Sequence, residues 1–145
     1  TVSREMGRLD ASLIPARFLA STAHLIAASM VYSSKDDNIR SSLPSDYTNS
    51  EYDSKDSELT AAITLVVLCL GFQLLSMFSG YTLFLPRINT THIFANSIGA
   101  ILTCWFILDS WNVTAFWYLF VFFSLLPLLM ESIALLNITC CSIQW

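Results

Sequence analysis

Apolar residues run along this chain in four long blocks, each able to span a bilayer. A crossing helix needs about 20 apolar residues, within a range of about 17–25. LIPARFLASTAHLIAASMVY (13–32), LTAAITLVVLCLGFQLLSMFSGYTLFL (59–85), THIFANSIGAILTCWFIL (91–108) and the stretch from Thr114 to Ile138 all meet it. In hydrocarbon a backbone must satisfy its own hydrogen bonds, so each block is predicted to be a helix. The expected fold is all-α, an integral-membrane four-helix bundle. It forms one domain over 13–138, preceded by a cytosolic segment 1–12 and followed by a short cytosolic tail 139–145.

Polar breaks set the connections. YSSKDDNIRSSLPSDYTNSEYDSKDSE lies between the first two blocks and gives an acidic extracellular loop over 33–58. It reads either as a solvated linker or as an ordered cap that docks a partner through Ile39, Leu43, Tyr47 and Tyr52. PRINT separates the second and third blocks, with Pro86 expected to stop the incoming helix. DSWN is so short that the third and fourth helices must be antiparallel neighbours. With the amino terminus in the cytosol, Arg4, Arg8, Arg17 and Arg87 fall inside and Lys35, Arg40 and Lys55 outside. That small excess favours both termini in the cytosol. A cleaved signal peptide over 1–29 is the rival reading, opposed by His24 in its apolar core and by a downstream loop without cysteines.

Each block carries one narrow stripe of polar or small residues at helical spacing. The stripes are Arg17, Ser21, His24 and Ala28; Cys69, Gln73, Ser76 and Gly80; Asn96, Ala100 and Thr103; and Ser124 and Glu131. Small residues let helices approach, and amides and hydroxyls bond across the contact. The remaining faces, rich in Leu, Ile, Phe and Val, suit membrane lipids. Arg17 lies about 6 Å inside its block and Glu131 about 8–10 Å inside the same membrane face, counting 1.5 Å per residue. The two either pair, or Arg17 snorkels to the headgroups while Glu131 is protonated. His24 and Gln73 fall near the midplane, where a structural hydrogen bond is favoured over a ligand site; the other histidine, His92, is read as lying in a link. Pro127 removes a backbone donor and clashes with the carbonyl of Phe123, so a kink is expected there, with Ser124 on hand to satisfy the freed group.

Composition agrees with a bilayer as solvent. Of 145 residues 54% are hydrophobic and 12% charged, against about 25% charged in soluble domains, and the mean hydropathy is +0.59. The net charge is −4 and no stretch is rich in Lys or Arg, which excludes nucleic-acid binding as a main role. Cys69, Cys104, Cys140 and Cys141 show no zinc spacing; they read as small buried hydrophobes, with palmitoylation an option for the last two at the membrane edge. H-E-x-x-H, G-x-S-x-G and P-loop patterns are absent, so neither an enzyme nor a bound cofactor or metal is expected. Of the sequons at Asn89, Asn112 and Asn137, only Asn112 falls outside the cytosol in the favoured topology, in a turn pressed against the membrane. Trp105, Trp111, Trp117 and Tyr118 surround that turn as an interfacial belt.

The segments RFLASTAHL, SKDDNIRSSLP, SEYDSKDSELTAA and FWYLFVFFSLLPLLMES, in this order and spacing, resemble the transmembrane protein 107 family from about Met6 to Ile138. The EYD element before the second block and the Pro-x-x-x-Glu in the fourth are the more specific parts. The residues TVSRE precede the methionine where that family would begin, and CCSIQW stands where a basic end would be expected. The resemblance implies a tetraspan protein of the ciliary transition zone. Such a protein acts with the Meckel-syndrome module, tectonic proteins included, in the gate that controls ciliary membrane composition, and is not an enzyme. Glu51, Tyr52 and Asp53 match the family pattern and form the candidate partner surface. The runner-up is a small proton- or cation-coupled transporter built on Glu131; an intramembrane enzyme is disfavoured by the lack of a site.

Overall fold

The computed structural model describes residues 2–80, 82–83 and 85–140, with side chains from residue 11 onward. The chain forms α1 (Val2–Ser41), α2 (Asn49–Ser79), α3 (Pro86–Leu108), α4 (Val113–Phe120), a π-helical segment (Val121–Leu125) and α5 (Leu126–Cys140). The last three run on as one rod, and four segments are long and apolar enough to cross a membrane: Ala11–Ser41, Asn49–Ser79, Pro86–Leu108 and Val113–Cys140. No strand occurs among the described residues. Arg17 meets Asn89 and Asn38 meets Phe106, so α1 and α3 run parallel. Glu58 meets Trp117 and Ser76 meets Glu131, so α2 and the α4–α5 rod run parallel in the opposite sense.

The helix ends differ from the sequence expectation in two places. The stretch 33–58 is not an open loop. α1 continues to Ser41 and α2 starts at Asn49, leaving residues 42–48 as the link. Thr48 makes this possible by forming a capping box with Glu51, which satisfies donors that a helix start leaves free. At the other end α2 stops before residue 85. Gly80 takes the left-handed conformation at φ 83°, and its N–H bonds to the carbonyl of Met77, the usual way glycine ends a helix. Pro86 does not stop α2; it opens α3, where a missing N–H costs nothing. Asn112 caps α4 by accepting from the backbone N–H of Thr114 at 3.0 Å.

The interior divides along its length. Ala28, Val31, Ile39, Leu59, Ala62, Val66, Leu70, Phe106, Val113 and Phe116 are buried at the end that holds the 42–48 link. Phe106 and Phe116 lie with ring centroids 5.0 Å apart. Asn38 locks this end by donating to the carbonyls of Phe106 at 2.8 Å and Trp111 at 3.0 Å. The other half of the interior is polar: Arg17, Ser21, His24, Gln73, Thr82, Asn89, His92, Asn96, Ser124 and Glu131 are all buried. Leu19, Phe72, Phe78, Phe94, Leu108 and Ile133 point outward, an apolar surface that hydrocarbon would cover.

Candidate functional site: a polar cluster inside the bundle

The polar half is built where four helices bring their stripes together. Arg17 on α1 is 1% exposed and so is Glu131 on α5. They form an ion pair from the Arg17 Nη2 to Oε1 of Glu131. Nη1 of Arg17 donates to Asn89 Oδ1 at 2.9 Å and to Thr82 Oγ1 at 3.2 Å. The hydroxyls of Ser76 and Thr82 each donate to the same Glu131 oxygen at 2.9 Å. Asn89 in turn donates to the carbonyl of Leu83 at 2.6 Å. An isolated buried charge costs a great deal, and this set of partners meets that cost from four helices and from Thr82, between α2 and α3.

A second set adjoins it. Gln73 Nε2 donates to the backbone carbonyl of Ser124 at 3.0 Å. A carbonyl only accepts, so the amide orientation of Gln73 is fixed and its Oε1 faces His92 Nδ1 at 3.1 Å and Asn96 Nδ2 at 3.2 Å. Asn96 also donates to the carbonyl of His92 at 3.0 Å and to Ser21 Oγ at 3.3 Å. Its Oδ1 therefore accepts from His24 Nδ1 at 3.0 Å. Both histidines must carry their proton on Nδ1. Gly99 makes room for this arrangement: a Cβ there would stand 2.6 Å from His24 Cε1 and 2.9 Å from the Cβ of Phe123.

The structure thus brings Arg17, His24, Gln73, Asn96 and Glu131 into one cluster. It adds His92, Asn89 and Thr82. His92 is not in a link; it sits in α3, within the apolar block 91–108 itself. The buried face of α3 reads Asn89, His92, Asn96, Gly99, Thr103 and Phe106, steps of three and four that extend the Asn96–Thr103 stripe toward Pro86. That spacing was available as a signal. Ala100, placed in the stripe by the sequence reading, is only half-buried; Gly99 makes the close contact.

Pro127 is buried, and the distortion lies one turn before it. In the π segment the N–H of Leu126 bonds to the carbonyl of Val121, a wider turn that eases the clash between a proline ring and the preceding turn. The hydroxyl of Ser124 is not what satisfies the backbone here. It is buried without a hydrogen-bond partner, while the backbone carbonyl of Ser124, next to that of Phe123, accepts from Gln73.

Glu51, Tyr52 and Asp53 lie at the opposite end of the molecule, in turns of α2 that precede the apolar stretch beginning at Leu59. Glu51 Oε2 accepts from the backbone N–H of Thr48 at 2.8 Å and from its hydroxyl at 2.9 Å. These two bonds, the backbone one first, hold the Glu51 carboxyl below its ordinary range. The Tyr52 hydroxyl donates to Asp36 of α1, which pushes the phenol up to about 12. Tyr47 stacks on Tyr52 with centroids 6.1 Å apart, and Lys35 pairs with Asp56 at 2.6 Å. Glu51 and Asp53 are exposed and Tyr52 is half-buried. The cap is therefore an ordered joint between α1 and α2.

Asn89 is 1% exposed and bonded to Arg17, so the sequon there lies within the bundle. Cys104 and Cys140 are exposed and Cys69 is buried; Cys141 and the rest of the tail lie outside the described residues. No group of three or more metal-binding side chains occurs among the described residues.

The family model described as "TMEM107: Transmembrane protein" matches residues 13–135. Transmembrane protein 107 of Homo sapiens is 35% identical over 126 residues, covering 87% of this chain and 89% of its own length. The Mus musculus protein of the same name is 32% identical over 127 residues, covering 88% and 90%. That of Danio rerio is 30% identical over 126 residues, covering 87% and 93%. No solved structure matches the chain. With a family model across most of its length and relatives of this identity, the chain belongs to the transmembrane protein 107 family.

Proposed function

We propose that this protein is a structural component of the ciliary transition-zone membrane. In this reading it is a rigid scaffold that helps recruit proteins of the Meckel-syndrome module, tectonic proteins among them. It thereby maintains the gate on ciliary membrane composition and supports ciliogenesis and cilium-dependent signalling. Family membership supports the reading. The observation that carries it is the use made of the polar groups. Arg17, Gln73, Asn96 and Glu131 each bond across to other helices, as packing hardware does. The capped joint at 42–58, with Glu51 and Asp53 exposed beside half-buried Tyr52, supports that end as the surface for partner proteins.

A transporter built on Glu131 has less support. Glu131 is 1% exposed, and the groups beyond His92 are the amides of Gln73 and Asn96, which do not ionise at ordinary pH. Expression of a tagged copy in ciliated cells, with proximity labelling, tests the scaffold reading. Signal confined to the ciliary base and labelling of tectonic proteins are expected. An even distribution over the plasma membrane, with no such labelling, would overturn it.

A further inference from the structure

The ring of bonds around Glu131 is lopsided. Three donors converge on Oε1: Arg17, Ser76 and Thr82. Oε2 is buried and has no hydrogen-bond partner, and the same is true of His92 Nε2. These two atoms face each other at 3.6 Å, in residues that are each 1% exposed. The separation is beyond a hydrogen bond, which closes at about 2.7–3.2 Å. It is also too small for a bridging water, whose two bonds would set the atoms about 4.4 Å apart.

What belongs in the gap follows from the bonds on the far side of the imidazole. The Ser124 carbonyl fixes Gln73, and Gln73 Oε1 fixes the His92 proton on Nδ1. Nε2 of a neutral His92 then presents a lone pair to a carboxylate oxygen. A second tautomer would relieve this contact only by setting a lone pair against Gln73 Oε1. Turning Gln73 over would set oxygen against the Ser124 carbonyl and nitrogen against Asn96 Nδ2. Two acceptors therefore face each other across the contact.

We propose that His92 and Glu131 form a proton-binding site buried in the bundle, where one proton taken from water draws Nε2 and Oε2 together from 3.6 Å to hydrogen-bond distance and ties α3 to α5. One O–H bond of a hydronium ion breaks, leaving water, and the proton forms an N–H bond on Nε2, or an O–H bond on Oε2 with the nitrogen accepting. The groups facing the pair are Arg17 from α1, Gln73 and Ser76 from α2, Thr82 from the link and Asn89 from α3. Among these only Arg17 is charged, and it sits on the opposite carboxylate oxygen. The inference concerns the bundle itself and does not rest on the ciliary reading.

NMR of the full chain in lipid nanodiscs, with nitrogen-labelled histidine and carbon-labelled glutamate carboxyls, tests it from about pH 8 down to pH 4, the range that spans imidazole and carboxyl titration. At the alkaline end His92 is expected with its proton on Nδ1. On acidification one step is expected in which the His92 Nε2 signal and the Glu131 carboxyl carbon move together. In Glu131→Gln the proton affinity of His92 is expected to fall at least tenfold. His24 faces an amide rather than a carboxylate and serves as the internal control; its behaviour is expected to stay the same. No His92 step in the range, or a His92 step without movement of the Glu131 carbon, would overturn the proposal. So would a proton on Nε2 at the alkaline end. The wild-type measurement decides the matter even if the variant does not fold.

Discussion

Replacing Glu131 by leucine deletes the acceptor on which Arg17, Ser76 and Thr82 converge. Arg17 would keep Asn89 and Thr82 but lose its counter-charge at a position 1% exposed. Breaking a buried pair by removing one member costs about 3–5 kcal/mol. Glu131→Gln keeps an oxygen for the three donors but also removes the counter-charge of Arg17, so its cost is expected to exceed the roughly 1 kcal/mol net worth of a single bond while staying below that of Glu131→Leu. Arg17→Leu alone strands the carboxylate and is expected to cost as much as Glu131→Leu. The double change leaves no uncompensated charge. It should recover about 2–3 kcal/mol relative to the sum of the single changes, the upper range of couplings between contacting residues. The assay is reversible unfolding of the reconstituted chain, followed by helix signal against denaturant. Single-variant effects that add to within about 0.5 kcal/mol would show the two residues to be independent, and would refute the argument that pairing fixes how α1 crosses α5.

Gly99→Ala places a methyl within 3 Å of both His24 and Phe123, and overpacking of this kind costs about 1–3 kcal/mol; a thermal midpoint equal to that of the parent would refute the close approach. Gln73→Leu strands the Ser124 carbonyl, His92 Nδ1 and one Asn96 bond, and a loss of at least about 1–3 kcal/mol is expected in the same unfolding assay, the cost of one orphaned buried group. Glu51→Gly removes half of the capping box and loosens the helix start; weaker co-purification with transition-zone proteins is expected while the four segments still insert, and unchanged recruitment would make the joint a mere connector. Single cysteines at Asp46 and Asp109 should label from outside the cell, and one at Arg87 from the cytosol, in a cysteine-free background; a label on Arg87 from outside would reverse the topology.

Much of this architecture was legible because hydrophobic blocks report helices directly, and an ionisable residue inside such a block asks for a partner. Arg17 and Glu131 could be matched by depth alone, since both lie about two turns or less from one membrane face at 1.5 Å per residue. The helix limits were harder. A polar stretch such as 33–58 looks like a loop because hydropathy measures the solvent of a segment, not its backbone. Thr48 and Glu51 carry the capping pattern, and that local chemistry, not hydropathy, marks the start of α2. Gly80 and Pro86 exchange roles for the same reason. Both sit beside an apolar run, but only glycine adopts the left-handed turn that ends a helix.

His92 shows where pattern reading gives out and why the geometry matters. A histidine five residues beyond Arg87, next to a polar run, reads as surface by composition. It faces inward because the turns of α3 put Asn89, His92 and Asn96 on one face. Even that face would not reveal the tautomer. The proton position on His92 is settled by a backbone carbonyl on a different helix, Ser124, acting through Gln73. That carbonyl lies in the π segment just before Pro127, where the widened turn meets a bond from outside its own helix. Pro127 and Glu131 thus belong to one device. The proline sets the irregular backbone that engages Gln73, Gln73 orients His92, and His92 is aimed at the Glu131 oxygen that Arg17 leaves unbonded.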